Sequence, residues 1–343
     1  MKKMFLWVLL IVLIGSFSIE VSFADTIELN NKSAVLRYIK DNNPTELTII
    51  NTKIKPVDLL EIKNALPDGI PFHFTTKWGN IIVSDDITEL DLRQRKGNAT
   101  AKDLDAIAQL CPDLELVDNT GSSSITNKDM GELIEKYPNI QFEWIVHLGK
   151  SHTISTKASA YSTYNHIGDS RTLTSKNLQA LKYCPRLKAL DLGHNLITDL
   201  DFLQYVPDLE LLIVGDNRIK DLTPISQLKH LQYAELFSNY FTDITPLAEC
   251  TELLDLNICY CQVTDFSSLD NLGKLQRFWA TNIRHLPEEQ KTRFKEAHPL
   301  TEVDFTGPHA TSSGWRQHPR YSHYIWCFKN HTWIPFNQEI PEE

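Results

Sequence analysis

The sequence predicts an α/β fold: a solenoid with a curved parallel sheet on its concave side, helices and short turns on its convex side, and a cap at each end. Residues 187–283 repeat with a period of 22, and each repeat holds the alternating apolar residues of a buried strand. Helix-start signals recur in the preceding segment, residues 53–186. At 343 residues the chain is long enough for such an array.

Residues 1–24 have the features of a secretory signal peptide. Lys2 and Lys3 precede the apolar run Met4–Ile14, and a small residue, Ala24, stands just before Asp25. The run is shorter than the roughly 20 residues that span a bilayer. We therefore expect cleavage near Asp25, a secreted or cell-surface protein, and no other membrane contact. The alternative is an uncleaved anchor that retains the chain as a structural component of the cell envelope.

Residues 25–52 are predicted to form an N-terminal cap and the first strand. Ser33–Asn42 suits a short amphipathic helix, and Leu47–Ile49 suits the strand that follows it.

Residues 53–186 are predicted to form longer, irregular repeats. Three threonines precede apolar helical stripes and suit helix N-caps, namely Thr100, Thr126 and Thr174. A second period of about 70 residues aligns the pair Phe72 and Phe74 with Phe142 and Trp144. This alignment predicts a tandem duplication of a helix–strand–hairpin–strand unit.

The regular repeats of residues 187–283 follow the pattern L-x-x-L-x-L-x-x-N/C-x-I-x-D-L. Each begins at a leucine 22 residues after the last: Leu187, Leu209, Leu231, Leu253 and Leu275. An inward Asn of the pattern can bond to the backbone of neighbouring repeats, and the Asp can cap the convex turn.

This pattern resembles the leucine-rich repeat family. The stretches NLITDL, NRIKDLTPI and NYFTDITPL resemble its bacterial internalin-like subclass. The resemblance suggests recognition of a partner at a host or cell surface. We predict a non-catalytic protein-interaction module without a cofactor.

Residues 284–343 are predicted to form the C-terminal cap. A helix at Pro287–Ala297 and a strand at Val303–Phe305 precede a tail, from Ser312 onward, that holds three Trp and three His. An aromatic tail can cover the last repeat of a solenoid. The alternative is a metal-dependent enzyme that uses the histidines, and its candidate ligands are His309, His318, His323, His331, Cys327 and Glu339. Their loose spacing favours a structural cap without metal.

The composition and motifs argue against other classes of function. The chain has 34 Lys+Arg against 44 Asp+Glu, a formal net charge of −10, and no basic run. Nucleic acid is therefore not expected as a partner. The metalloprotease motif, the phosphate loop and the nucleophile elbow do not occur, so we predict no enzyme.

The six cysteines are predicted to be mostly free thiols. Cys111, Cys184 and Cys250 each stand three residues before the first leucine of a repeat, and Cys261 takes an inward Asn position. Buried thiols behave as small apolar groups. A Cys259–Cys261 bridge would join alternate strand residues about 6.5–7 Å apart, near the bridging limit, and the states of Cys259 and Cys327 stay open.

The concave face is the candidate binding site. Several apolar, aromatic and charged residues project from the strands away from the core, and a contiguous patch of this kind commonly binds a partner. The predicted site is Leu211, Ile213, Tyr233, Glu235, Phe237, Asp255, Tyr260, Arg277 and Trp279. Its acidic residues favour a protein or peptide ligand with basic residues. The alternative is that a loop or the aromatic tail folds back over this patch.

Overall fold

The computed structural model describes residues 24–29, 31–122, 124–163 and 172–341. Nearly all of the predicted signal peptide lies outside these residues. Parallel strands stack along the chain with helices and turns between them, which confirms the α/β solenoid. In the described ranges, every helix is too short or too polar to cross a bilayer.

The first part of the chain alternates strands with α-helices of about three turns. Its elements are β1 (Ala24–Ile27), α1 (Lys32–Asn42), β2 (Glu46–Thr52), α2 (Pro56–Ala65), β3 (Phe72–Trp78), β4 (Ile81–Ser84), β5 (Glu89–Asp91), α3 (Ala101–Leu110), β6 (Leu116–Asp118), α4 (Asn127–Lys136), β7 (Gln141–Glu143), β8 (Ile145–His147) and β9 (Thr153–Ser155). β1 was not predicted; it pairs with β2, so the strand at Leu47–Ile49 is the second and not the first.

In the second part, 3₁₀ turns replace most of the helices. The elements are β10 (Ala160–Ser162), α5 (Ser175–Leu178), β11 (Ala189–Asp191), β12 (Leu211–Ile213), β13 (Tyr233–Glu235), β14 (Asp255–Asn257), β15 (Arg277–Trp279), α6 (Glu288–Ala297), β16 (Glu302–Asp304) and α7 (Pro319–Lys329). The 3₁₀ turns are Gln179–Tyr183, Asp201–Tyr205, Thr223–Gln227, Thr245–Glu249, Ser267–Leu269 and Trp315–Gln317.

The described strands form four sheets. The largest is parallel and runs from β10 to β16 in chain order. Its register follows the 22-residue period, since Ala189, Leu211, Tyr233, Asp255 and Arg277 are successive partners. The others are β1–β4, in which β4 is antiparallel, β5–β7, and the hairpin β8–β9. The middle residue of each regular strand points into the solenoid core, and its two neighbours point to the concave side.

Polar side chains of the repeat pattern stabilise the array as predicted, between repeats at the Asn positions and within a turn at the Asp positions. The amide of Asn217 donates to the carbonyls of Leu192 and Val214, both at 3.0 Å, and accepts from the N–H of Ile197 at 3.0 Å. The carboxylate of Asp221 accepts from the N–H of Thr223 at 2.8 Å and caps a convex turn. The same bonds recur 22 residues on at Asn239 and Asp243, so the Asn side chains form a polar ladder along the array and each Asp caps its own turn.

The helix starts are also confirmed. Thr100 and Asp103 form a reciprocal capping box at α3, and the side chain of Thr126 accepts from the N–H of Asp129 at α4.

α6, which lies within the predicted C-terminal cap of residues 284–343, packs into the last part of the solenoid core. Phe294 of α6 is fully buried, with its ring centroid 4.5 Å from that of Phe278 in the last regular strand and 6.4 Å from that of Phe305. The described residues of the aromatic tail do not belong to this core cluster.

Candidate functional site

The predicted site residues lie together on the concave face, but the tail covers them. Eight of the nine are less than 9% exposed, and these are Leu211, Ile213, Tyr233, Glu235, Phe237, Asp255, Arg277 and Trp279. Tyr260 is 40% exposed. The expectation of an open patch is therefore wrong in this structure, and its alternative, a tail folded back over the patch, is what the chain does.

A second apolar cluster, separate from the solenoid core, lies between the strands and the tail. The strands contribute Leu211, Tyr233 and Trp279, and the tail contributes Trp315 and Phe328, among others. Ring centroids of Trp279 and Trp315 are 5.1 Å apart, and those of Tyr233 and Trp315 are 5.6 Å apart. Both surfaces carry many apolar side chains, and burying these against each other favours closure of the patch.

Glu235 is the polar centre of this interface. Its side chain is fully buried and accepts from Arg316 Nη2 at 2.8 Å and from Trp315 Nε1 at 2.9 Å, and both donors belong to the tail. The hydroxyls of Tyr233 and Tyr324 also donate to its carboxylate. Burial and the negative charge of Glu235 raise the pKa of both tyrosines far above the usual value. Burial alone would lower the pKa of Arg316, but the charge of Glu235 and the neighbouring tyrosines together outweigh burial and raise that pKa.

Asp255 is a second fully buried carboxylate, one strand further along. Arg277, from the adjacent strand, binds it with two hydrogen bonds of 2.9 and 2.8 Å, and Arg320 of α7 donates to it at 2.8 Å. The guanidinium of Arg277 also lies 4.5 Å from the ring centroid of Trp315. A buried carboxylate that lost these partners would be strongly unfavourable, so Asp255 ties the tail to the sheet.

Backbone contacts fix the path of the tail before and after α7. Tyr260 Oη donates to the carbonyl of Pro308 at 2.8 Å, and Asn257 Nδ2 donates to that of Ala310 at 2.7 Å. Trp279 Nε1 donates to the carbonyl of Ser312 at 3.1 Å. Beyond α7, the backbone N–H of Trp333 donates to Ser159 Oγ at 2.7 Å. The tail is thus bound along its length, from β10 to β15.

The concave side of β5–β7 carries charges that the sequence reading did not single out. These strands end in paired acidic residues, Asp91, Asp118 and Glu143. Their partners are half-exposed cations, Arg93, Lys157 and Arg186. The Arg93 guanidinium lowers the pKa of Asp91 to about 2. An acid at the end of each successive short strand was the signal available in the sequence.

The histidines of the tail make structural contacts. His318 accepts the N–H of Arg320 at the start of α7, and His323 Nε2 lies 2.7 Å from the carbonyl of Ile334. Among the described residues, no three or more His, Cys, Asp or Glu side chains converge as metal ligands would. All six cysteines are free and buried.

Comparisons with known proteins agree with this geometry. The family described as "Leucine Rich repeats (2 copies)" matches residues 185–230. A search of curated proteins gives no match.

The solved structures that are similar to the chain include three bacterial proteins. An internalin from Listeria monocytogenes is 18% identical over 86% of this chain and 69% of its own, with a TM-score of 0.39. Internalin C2 of the same species is 21% identical over 62% and 88%, with a TM-score of 0.37. A leucine-rich repeat protein of Leptospira interrogans is 20% identical over 81% and 76%, with a TM-score of 0.40. Residues 185–230 are thus leucine-rich repeats, and the strands that follow them keep the same 22-residue register.

Proposed function

We propose that the chain is an exported protein-interaction module whose concave face binds a protein or peptide segment carrying arginine and aromatic residues. Leucine-rich repeat proteins typically serve as binding scaffolds, which supports the general role. The apolar run Met4–Ile14, with its basic start and the small residue before Asp25, supports export to the cell surface or the medium.

The observation that carries this proposal is the chemistry of the face itself. Glu235 and Asp255 are fully buried carboxylates, and each binds an arginine from the tail. Apolar and aromatic side chains surround both. Such a surface favours an arginine-bearing partner because an unpaired carboxylate left in it would be costly. The tail occupies the face as an internal ligand, and we propose that a partner takes its place.

Affinity capture with matched baits tests this proposal. One bait is the chain from Asp25 onward, and a second carries Arg316→Glu and Arg320→Glu. Because each new carboxylate faces a buried one, the tail should be repelled and the face opened. We expect the opened bait to bind its partner at least about tenfold more tightly, as desolvated interface residues commonly decide affinities of this order.

Two further variants show whether the concave face is responsible. Glu235→Gln in the opened bait removes the central charge and should weaken binding to an arginine-bearing partner about tenfold or more. Lys229→Ala is the matched control, because Lys229 pairs with Glu249 at the surface. Equal binding by all four baits would place the partner site elsewhere on the molecule.

A further inference from the structure

The tail packs on the solenoid as a separate unit. Its aromatic residues belong to the concave cluster, whereas the solenoid core is a different cluster, to which α6 contributes Phe294. No residue of α7 belongs to the core cluster. Undocking of α7 would remove no contact from that cluster, so we expect the tail to open without global unfolding.

His318 holds the first turn of α7. Its Nδ1 accepts the backbone N–H of Arg320 at 3.2 Å, so the imidazole is the N-cap of this eleven-residue helix. Only a nitrogen without a proton can accept this bond, and a protonated imidazole carries N–H groups on both nitrogens. Protonation would also place a positive charge at the positive end of the helix dipole. The cap thus exists only while His318 is neutral.

The charged groups around His318 add to this effect. Arg277 and Asp255 face it from β15 and β14, and Arg320 faces it from its own helix. Both arginines already bind the single carboxylate of Asp255. A third cation at this place is therefore opposed by two positive charges and attracted by one negative charge that is already paired. Burial first, and then Arg277, lower the pKa of His318.

The sign of the pH effect follows from these contacts. In an undocked tail His318 regains an ordinary pKa of about 6.5. The undocked state then binds a proton more readily than the docked state does, so acid favours undocking. The contribution of His318 to docking is complete above about pH 6.5 and decreases as the pH falls below that value.

We infer that the tail is a pH-sensitive gate on the concave face and that protonation of His318 loosens it. The role of the gate rests on the proposed function, since it controls access only if a partner binds this face. Under neutral conditions the tail occupies the surface that the partner would take. Mild acid shifts the chain toward the open form, in which Glu235 and Asp255 can receive arginines from another molecule.

Hydrogen exchange of the full chain at pH 7.5 and pH 5.5, corrected for the intrinsic pH dependence of exchange, tests the gate. Loss of a side-chain N-cap is equivalent to about a fivefold change in an equilibrium constant. We therefore expect amides of α7 to exchange about fivefold faster relative to neutral pH, while amides of β12 and β14 keep their protection.

The deciding variant is His318→Asn, which caps a helix without titrating. Its α7 amides should show the same protection at both values of pH. His331→Asn is the matched control: His331 is exposed, and its left-handed backbone, with φ of 52°, suits asparagine. This control should keep the response of the natural chain.

An acid response that persists in His318→Asn, or its absence from the natural chain, would overturn the gate. The exchange measurement needs no partner. A failed gate therefore leaves the capture experiment to decide the proposed function, and a failed capture leaves the exchange result intact.

Discussion

Asn239 illustrates how much a single side chain contributes to stability in a fold whose repeats contact only their neighbours. Its amide donates to the carbonyls of Val214 and Leu236 at 3.0 and 2.9 Å and accepts from the N–H of Ile219 at 3.0 Å. All of these groups are buried, so water cannot replace the lost bonds. We expect Asn239→Ala to lower the free energy of unfolding by about 2–4 kcal/mol in urea titrations followed by circular dichroism.

Cys261 provides the matched comparison, because it occupies the same position one repeat later. Its Sγ makes only weak contacts, of 3.5 Å with the carbonyl of Leu236 and 3.7 Å with that of Cys259. Cys261→Ala should therefore cost about 1 kcal/mol, the value of a small buried group. If the two substitutions lower the free energy of unfolding equally, the hydrogen bonds of the Asn side chains contribute nothing beyond the volume that these side chains fill.

At the scale of elements, α6 and α7 have different roles although both follow the last repeats. Phe294 of α6 is buried against Phe278 and Phe266 in the solenoid core. Phe294→Ala should lower the free energy of unfolding of the whole array by about 3–5 kcal/mol.

Phe328 of α7 is 2% exposed but lies in the concave cluster. Phe328→Ala should leave the main transition unchanged and increase hydrogen exchange in α7 alone.

Thermal unfolding of both variants, combined with exchange of α7 amides, separates these outcomes. A Phe328→Ala chain whose main transition falls as far as that of Phe294→Ala would mean that tail and solenoid unfold as one unit.

The sequence could predict those parts of the fold and the site that depend on local pattern. The 22-residue period places an inward leucine, an Asn and a capping Asp in every repeat, so strands, register and polar ladders follow from local pattern. The concave direction of Tyr233 and Trp279 follows from alternation along a strand.

The position of the tail does not follow from any local pattern. Arg316 and Glu235 are 81 residues apart, and nothing periodic links them. Their pairing depends on the fit of two surfaces that exist only after folding. β1 was missed for a related reason: it is only four residues long and gains its place by pairing with β2.

On the scale of the whole molecule, the solenoid core and the concave cluster are separate, which implies two opening events: release of the tail and global unfolding. Cysteines lie in both clusters and can report on both events. Cys259 and Cys327 lie in the concave cluster, whereas Cys111, Cys184, Cys250 and Cys261 lie in the solenoid core. Burial raises the pKa of these four core thiols to about 12 and that of Cys259 to about 11. Since the thiolate is the reactive form, the closed chain should react slowly at all six.

Labelling with a thiol reagent in the native chain, followed by peptide mass analysis, should therefore give two phases. Cys259 and Cys327 should react first, at the rate at which the tail opens, and the four core thiols only at the much slower rate of global unfolding. Arg316→Glu with Arg320→Glu should accelerate the first phase at least about tenfold, because each change replaces a buried ion pair by a repulsion, and should leave the second phase unchanged. Lys229→Ala, at the surface, should alter neither phase. Reaction of all six thiols at a single rate would mean that the tail opens only when the solenoid unfolds, and the concave face would then be closed to any partner of the folded chain.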